Sequence, residues 1–152
     1  MDALIVFAAQ YLIILVPLAL LQVIWMLPEK ERIHFVSLSI FSLLLAYIFA
    51  KIGTHLYDNP RPFIVGAFDP LIPHGIENGF PSMHTLVATT LAALVFTKRR
   101  TLGVALFVVA LCVGIARVAA GVHHGVDVLG GFILGVCAVY CARQLLSIRV
   151  YR

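Results

Sequence analysis

Two arginines, two histidines, a serine and an aspartate stand together in a chain that otherwise reads as soluble in lipid. They fall in three clusters: Asn59-Pro60-Arg61-Pro62-Phe63, then Phe80-Pro81-Ser82-Met83-His84, then Ala116-Arg117 followed by His123 and Asp127. Arginine offers a rigid fork of donors that matches phosphate oxygens, and it stays charged at any relevant pH. Pro60 and Pro62 flank Arg61 and stiffen its backbone. Ser82 follows Pro81 and reads as a helix N-cap. The free N–H groups and positive dipole end of that helix then favour an anion, with His84 beside it as a proton donor. His123 and Asp127 are four apart and share a face if a helix begins near Gly121. A carboxylate accepting from one ring nitrogen fixes the imidazole tautomer and leaves the other nitrogen free as a nucleophile.

Each feature also has a plainer reading. Arg117 alone is equally a snorkelling residue at a helix end. A histidine in a first helical turn is commonly interfacial, and a single i,i+4 His–Asp pair is commonly structural. The case for one phosphate-handling site rests on whether the intervening elements bring the clusters together.

Those elements follow from composition. The chain has 152 residues, 62% hydrophobic and 12% charged, with a mean hydropathy of +1.04. Soluble domains carry about 25% charged residues, so an all-α integral membrane bundle is expected, and the length supports one domain over residues 1–152. Five spans are predicted, near 3–27, 33–50, 82–97, 101–120 and 126–146, with a polar loop over 51–80. The first run opens on Asp2, without the basic segment of a signal peptide, and is too long for the apolar part of one. Pro17 is expected to kink it. Gly130, Gly131 and Gly135 would let the last span approach a neighbour closely. Cys112, Cys137 and Cys141 lie in apolar runs without metal-type spacing and are expected to be buried small hydrophobes.

The formal charge of +4 does not indicate a nucleic-acid partner, because the basic residues are not gathered in one patch. Lys30, Arg32, Lys98, Arg99, Arg100, Arg143, Arg149 and Arg152 are eight of the eleven basic residues, and alternation of the spans puts all eight on one side. The positive-inside rule makes that side cytoplasmic. The N-terminus and all three clusters are then expected on the extracytoplasmic side, one surface reached by topology alone.

The clusters resemble the motifs of the type 2 phosphatidic acid phosphatase superfamily. They are most similar to its bacitracin-resistance type of undecaprenyl-diphosphate phosphatase. The resemblance is carried by Asn59-Pro60-Arg61-Pro62-Phe63, Leu71-Ile72-Pro73-His74, Phe80-Pro81-Ser82-Met83-His84-Thr85 and Gly121-Val122-His123-His124 running into Asp127-Val128-Leu129-Gly130. It implies a membrane phosphatase acting on undecaprenyl diphosphate in a bacterial plasma membrane. It implies His123 as nucleophile through a phosphohistidine, Asp127 orienting it, and His84 as acid and then base. Arg61, Arg117 and Ser82 would bind the phosphoryl oxygens, and His74 would touch the diphosphate. No cofactor or metal is implied, since arginines and a helix end stabilise the charge. Membrane lipids and the lipid-linked diphosphate are the implied partners, and a homodimer is compatible with the sequence.

Four departures stand beside the likeness. The usual lysine seven residues before the arginine is Thr54 here. Lys51 is ten before, about 80° off the arginine's azimuth on a helix against about 20° for seven, and His55 lies nearer. Met83 replaces a Gly or Asp, and Ala116 replaces a Ser. The superfamily commonly has six helices against five read here, the difference falling at the N-terminus. The rival readings are a phosphatase of phosphatidylglycerol phosphate or phosphatidic acid, a metal hydrolase using His84, His123, His124 and Asp127, and a non-enzymatic bacitracin-binding or transport protein.

Overall fold

The computed structural model describes the backbone of residues 1–150 and the side chains of residues 1–146. Of the basic tail, Arg152 and the Arg149 side chain lie outside the described residues. Every regular element described is helical. α1 (Asp2–Gln10) and α2 (Leu15–Met26) are joined by a 3-10 turn, Leu12–Ile14. α3 covers Glu29–Leu56, α4 Pro62–Val65, α5 Met83–Lys98, α6 Arg100–Ala119 and α7 Gly125–Val150. Four stretches are long and apolar enough to cross a membrane: Asp2–Met26, Glu29–Leu56, Arg100–Ala119 and Gly125–Leu146, with α5 a shorter apolar helix. The chain is a membrane helical bundle.

α5 is its centre, packing against α6, α7, α3 and α2. Its face is made of small residues, with Thr85, Ala88, Thr89, Thr90, Ala92 and Ala93 all buried. The expected close approach of α7 is present and is made on α5. A Cβ at Gly131 would stand 2.7 Å from the Ser82 carbonyl oxygen, and one at Gly135 2.9 Å from that of Leu86. Between helices in lipid, such backbone proximity is the source of packing energy, because apolar side chains gain little by leaving hydrocarbon.

Three expectations need correction. The first span is not one helix kinked at Pro17. It breaks at Leu12–Ile14, because Pro17 has no N–H for the Ile13 carbonyl and its ring crowds that oxygen. The second span runs past Ala50 to Leu56, so Lys51, Thr54 and His55 are helical. Its last carbonyls find a remote donor: Asn78 Nδ2 donates to Thr54 O at 3.0 Å and Tyr57 O at 2.8 Å. α7 begins at Gly125, one residue before the expected start at 126, so the condition of a helix begun near Gly121 is not the one that pairs His123 with Asp127. Cys112 and Cys137 are exposed and Cys141 is half-buried, on outward faces that meet lipid instead of the core.

Lys98 bonds Glu31 at 2.6 Å, joining the α2–α3 and α5–α6 connections at one end of the bundle. The three clusters gather at the other end.

Gly135→Ala is expected to lower stability by about 1–3 kcal/mol through overpacking against backbone. Gly125→Ala, where nothing lies within 4 Å of an added Cβ, should be neutral. Thermal midpoints in detergent, lower for the first and unchanged for the second, check the pair.

Candidate active site

α6 ends in a Schellman motif that delivers His123. Gly121 N donates to Val118 O at 2.9 Å, and Val122 N to Arg117 O at 3.3 Å. Gly121 takes φ +77°, the left-handed position that glycine enters without a Cβ penalty. The chain then turns through His123 and starts α7 with a reciprocal cap. The His124 carbonyl accepts from Asp127 N at 3.1 Å, and Asp127 Oδ2 accepts from His124 N at 2.8 Å. Asp127 is the third residue of the helix, where an acidic side chain reaches back to the N-cap amide. The His–Asp contact is therefore made across a helix start, not along a helix face.

His123 Nδ1 lies 3.3 Å from Asp127 Oδ2, and Arg61 Nη1 lies 3.3 Å from His123 Nε2. A carboxylate only accepts and a guanidinium only donates. Nδ1 therefore carries the proton and Nε2 the lone pair. Both residues are buried, His123 at 3% and Asp127 at 0% exposure.

Arg61 is held extended by the following proline, at φ −64° and ψ 151°, as the pre-proline position requires. It donates to Glu77 O at 3.0 Å, Val122 O at 2.9 Å and Asn78 O at 3.4 Å. Arg117 differs. It is 3% exposed, so it does not snorkel, and its Nε and Nη2 are buried without a hydrogen-bond partner among the described residues.

A cleft of about 450 Å³ reaches His123, lined also by Arg61, His74, His84, Lys51, Met83 and Tyr47. His84 is half-buried in it, in the first turn of α5. Ser82 is the N-cap residue, yet its hydroxyl makes no cap bond; it accepts from Thr85 Oγ1 at 3.2 Å. The first backbone bond of α5 is Leu86 N to Ser82 O, so the N–H groups of Met83, His84 and Thr85 have no helical partner. His74 packs edge-on against His123, ring centroids 5.8 Å apart, with Nδ1 buried beside the Gly75 backbone. Lys51 lines the cleft, but its Nζ sits 5.5 Å over the Tyr47 ring. His55 is exposed and does not line the cleft. Thr54, at the usual lysine position, donates to Phe80 O at 2.8 Å and serves as a structural tie.

The cluster thus holds two guanidiniums and the Asp127 carboxylate, with Lys51 and Glu77 also on the cleft wall. Burial lowers the His123 pKa, the Asp127 bond opposes that, and the charges of Arg61 and Arg117 lower it further. Burial first, then Arg61 and Arg117, push His74 down to about 4. The same causes disfavour a proton on His74 and His123, and the net field is positive, an arrangement suited to an anion and poorly suited to a divalent cation.

Two residues without assigned roles emerge. Asn59 Nδ2 donates to Asp127 Oδ1 at 2.7 Å. Asn78 Oδ1 accepts from Asn59 N at 3.1 Å and Phe80 N at 2.8 Å. Asn59 stands in the first motif, but no spacing rule connects it to a residue so far along the chain.

Residues 35–150 match the PAP2 superfamily. The bacitracin transport permease protein BcrC of Bacillus licheniformis is 34% identical over 131 residues, covering 86% of this chain and 64% of that protein. The undecaprenyl-diphosphatase BcrC of Bacillus subtilis is 29% identical over 136 residues, covering 90% of this chain and 70% of that protein. The chain therefore spans about two thirds of the length of these relatives. The crystal structure of Aquifex aeolicus LpxE superposes with a TM-score of 0.75 at 26% identity, covering 94% of this chain and 85% of that one.

Arg117→Met should remove the uncompensated buried charge. Without phosphate its thermal midpoint should equal or exceed that of the parent protein, and added phosphate should no longer raise it. A retained phosphate shift would place the anion elsewhere. A second outcome concerns His74. Between pH 6.5 and about 4 the unfolded chain binds a proton there that the folded chain does not, so stability falls as pH is lowered. His74→Gln should lose less of its thermal midpoint than the parent on going from about pH 7 to pH 5. Equal losses would contradict this.

Proposed function

Because the chain belongs to the PAP2 superfamily, we propose that it is a membrane phosphatase that hydrolyses undecaprenyl diphosphate to undecaprenyl phosphate and inorganic phosphate. The observation that carries the reading is Arg117, a buried guanidinium with unpaired donors, in one cluster with a His–Asp pair whose Nε2 is an unprotonated base. A buried charge of that kind is costly unless an anion meets it. The name of the Bacillus subtilis relative supports the choice of lipid.

His123 Nε2 attacks the terminal phosphorus, and the bond from phosphorus to the bridging oxygen breaks. Asp127 holds the imidazolium that forms, through Nδ1. His84 gives its proton to the leaving undecaprenyl phosphate. It then takes a proton from water, whose oxygen attacks the phosphohistidine, and the P–N bond breaks to release phosphate. Arg117, Arg61 and the α5 N–H groups beside Ser82 hold the equatorial oxygens, where charge develops. The bond broken is a phosphoanhydride, and the protein's task is chiefly to position the diphosphate and stabilise charge on its equatorial oxygens.

Residues 1–152 act as a single membrane-embedded unit in this proposal. The plasma membrane of a bacterium is its location, and the positive-inside distribution supports an outward N-terminus and an active site on the extracytoplasmic face.

Purified protein in detergent should release phosphate from undecaprenyl diphosphate faster than from phosphatidylglycerol phosphate or phosphatidic acid, and EDTA should not inhibit it. His123→Ala should leave less than about a tenth of turnover and no acid-labile phosphoenzyme. Asp127→Asn should cost about a hundredfold or more in kcat while the protein stays folded. Loss of activity in EDTA restored by zinc would favour the metal hydrolase, and absence of phosphate release the transport reading.

A further inference from the structure

One continuous hydrogen-bonded path runs from the end of α3 to the catalytic pair. Asn78 Nδ2 grips the Thr54 and Tyr57 carbonyls. Asn78 Oδ1 receives the Asn59 amide, and Gly79 N donates to Asn59 O at 2.9 Å. The backbone of Asn59 is thus held on both its N–H and its carbonyl against residues 78 and 79. That fixes where its side chain points, and Nδ2 meets Asp127 Oδ1 at 2.7 Å, shorter than the 3.3 Å His123–Asp127 contact. The junction is tight: a Cβ at Gly79 would lie 2.9 Å from Asp127 Oδ2 and 3.0 Å from Asn59 O.

We infer that Asn59 is a positioning residue, aiming the Asp127 carboxylate at His123 through a hydrogen bond that the α3 terminus anchors by way of Asn78. The reasoning is stereochemical. Asp127 Oδ2 is shared between His123 Nδ1 and the His124 amide, so the carboxylate plane is held through one oxygen, within whatever rotation those two contacts tolerate. The Asn59 donor on Oδ1 fixes the second oxygen and narrows that range. Without it Oδ2 can keep the shorter backbone bond and leave His123 Nδ1, and the imidazole loses the partner that keeps its lone pair on Nε2. At metal sites, where carboxylates orient ligating imidazoles in the same way, removing such an outer partner commonly costs about 10- to 100-fold. Asn59 does not line the cleft that reaches His123, so its influence passes through Asp127.

The inference rests on the phosphatase reading, and its test separates the two. Asn59→Ala should lower kcat about tenfold or more, with KM within about twofold of the parent. Asn59→Asp keeps the size and the two backbone bonds but turns the donor into an acceptor facing a carboxylate. It should lower kcat at least as much, and it serves if the alanine variant does not fold. In a double-mutant cycle on kcat, Asn59→Ala added to Asp127→Asn should cost less than about twofold more than Asp127→Asn alone. A residue of merely structural importance would lower the thermal midpoint and leave kcat and this coupling unmoved. Additive losses in the cycle, a change in KM alone, or parental kcat in both Asn59 variants would overturn the inference. If the parent protein releases no phosphate from undecaprenyl diphosphate, the proposed function fails first.

Discussion

The Asp127 carboxylate is the point on which the end of this bundle that gathers the three clusters depends. Its side chain accepts from Asn59, from the His124 amide and from His123, and its backbone carbonyl accepts from Ser82 N at 2.9 Å. The loop after α3, the first turn of α5, the exit from α6 and the start of α7 are therefore tied through one residue. Because Asp127 is fully buried, each of those bonds forms in a low-dielectric setting, where a missing partner costs more than in water. The three clusters cannot separate without exposing that residue or leaving it unpaired.

What lets four segments converge on one residue is the thinness of the helix contact below it. Gly131 and Gly135 put α7 backbone against α5 backbone, and Gly114 brings α6 close to Val128 and Thr85. With larger residues the helix axes would part by the width of a side chain. The Ser82–Asp127 backbone bond would then be out of reach. In a bilayer, close packing of this kind replaces the hydrophobic driving force that holds soluble helices together. The catalytic geometry is thus inherited from small residues that have no chemistry of their own.

Much of this was legible in the sequence. Apolar runs located the spans, and the position of polar clusters at span ends predicted that Arg61, His84, Arg117, His123 and Asp127 would meet. The glycines of α7 announced its close approach. The parts that were not legible depend on partners distant along the chain. Helix α3 continues past Lys51 because Asn78, far downstream, satisfies its terminal carbonyls. The link from Asn59 to Asp127 spans 68 residues, and no periodicity encodes it. The start of the last span was legible to within a residue, but the way His123 meets Asp127 was not, because Gly121 terminates α6 in the left-handed region and leaves His123 ahead of the helix. Arg117 was ambiguous from sequence because a terminal arginine can reach outward or inward, and only the burial of its guanidinium decides.

The two arginines, alike in sequence reasoning, are physically different. Arg61 commits donors to three backbone carbonyls and a further one to His123 Nε2. It is chiefly a clamp that joins the 59–79 loop to the turn carrying His123, and it defines the tautomer from the side opposite Asp127. Arg117 commits neither Nε nor Nη2 to any described partner. An anion entering the cluster gains most from the guanidinium whose donors are unspent, since no existing bond must be broken first. It also competes for the Arg61 donor resting on Nε2. In the proposed mechanism, taking that donor would uncover the Nε2 lone pair of His123 when a phosphoryl group is present to receive it. The same contact would then hold the tautomer before substrate arrives and release the ring afterwards.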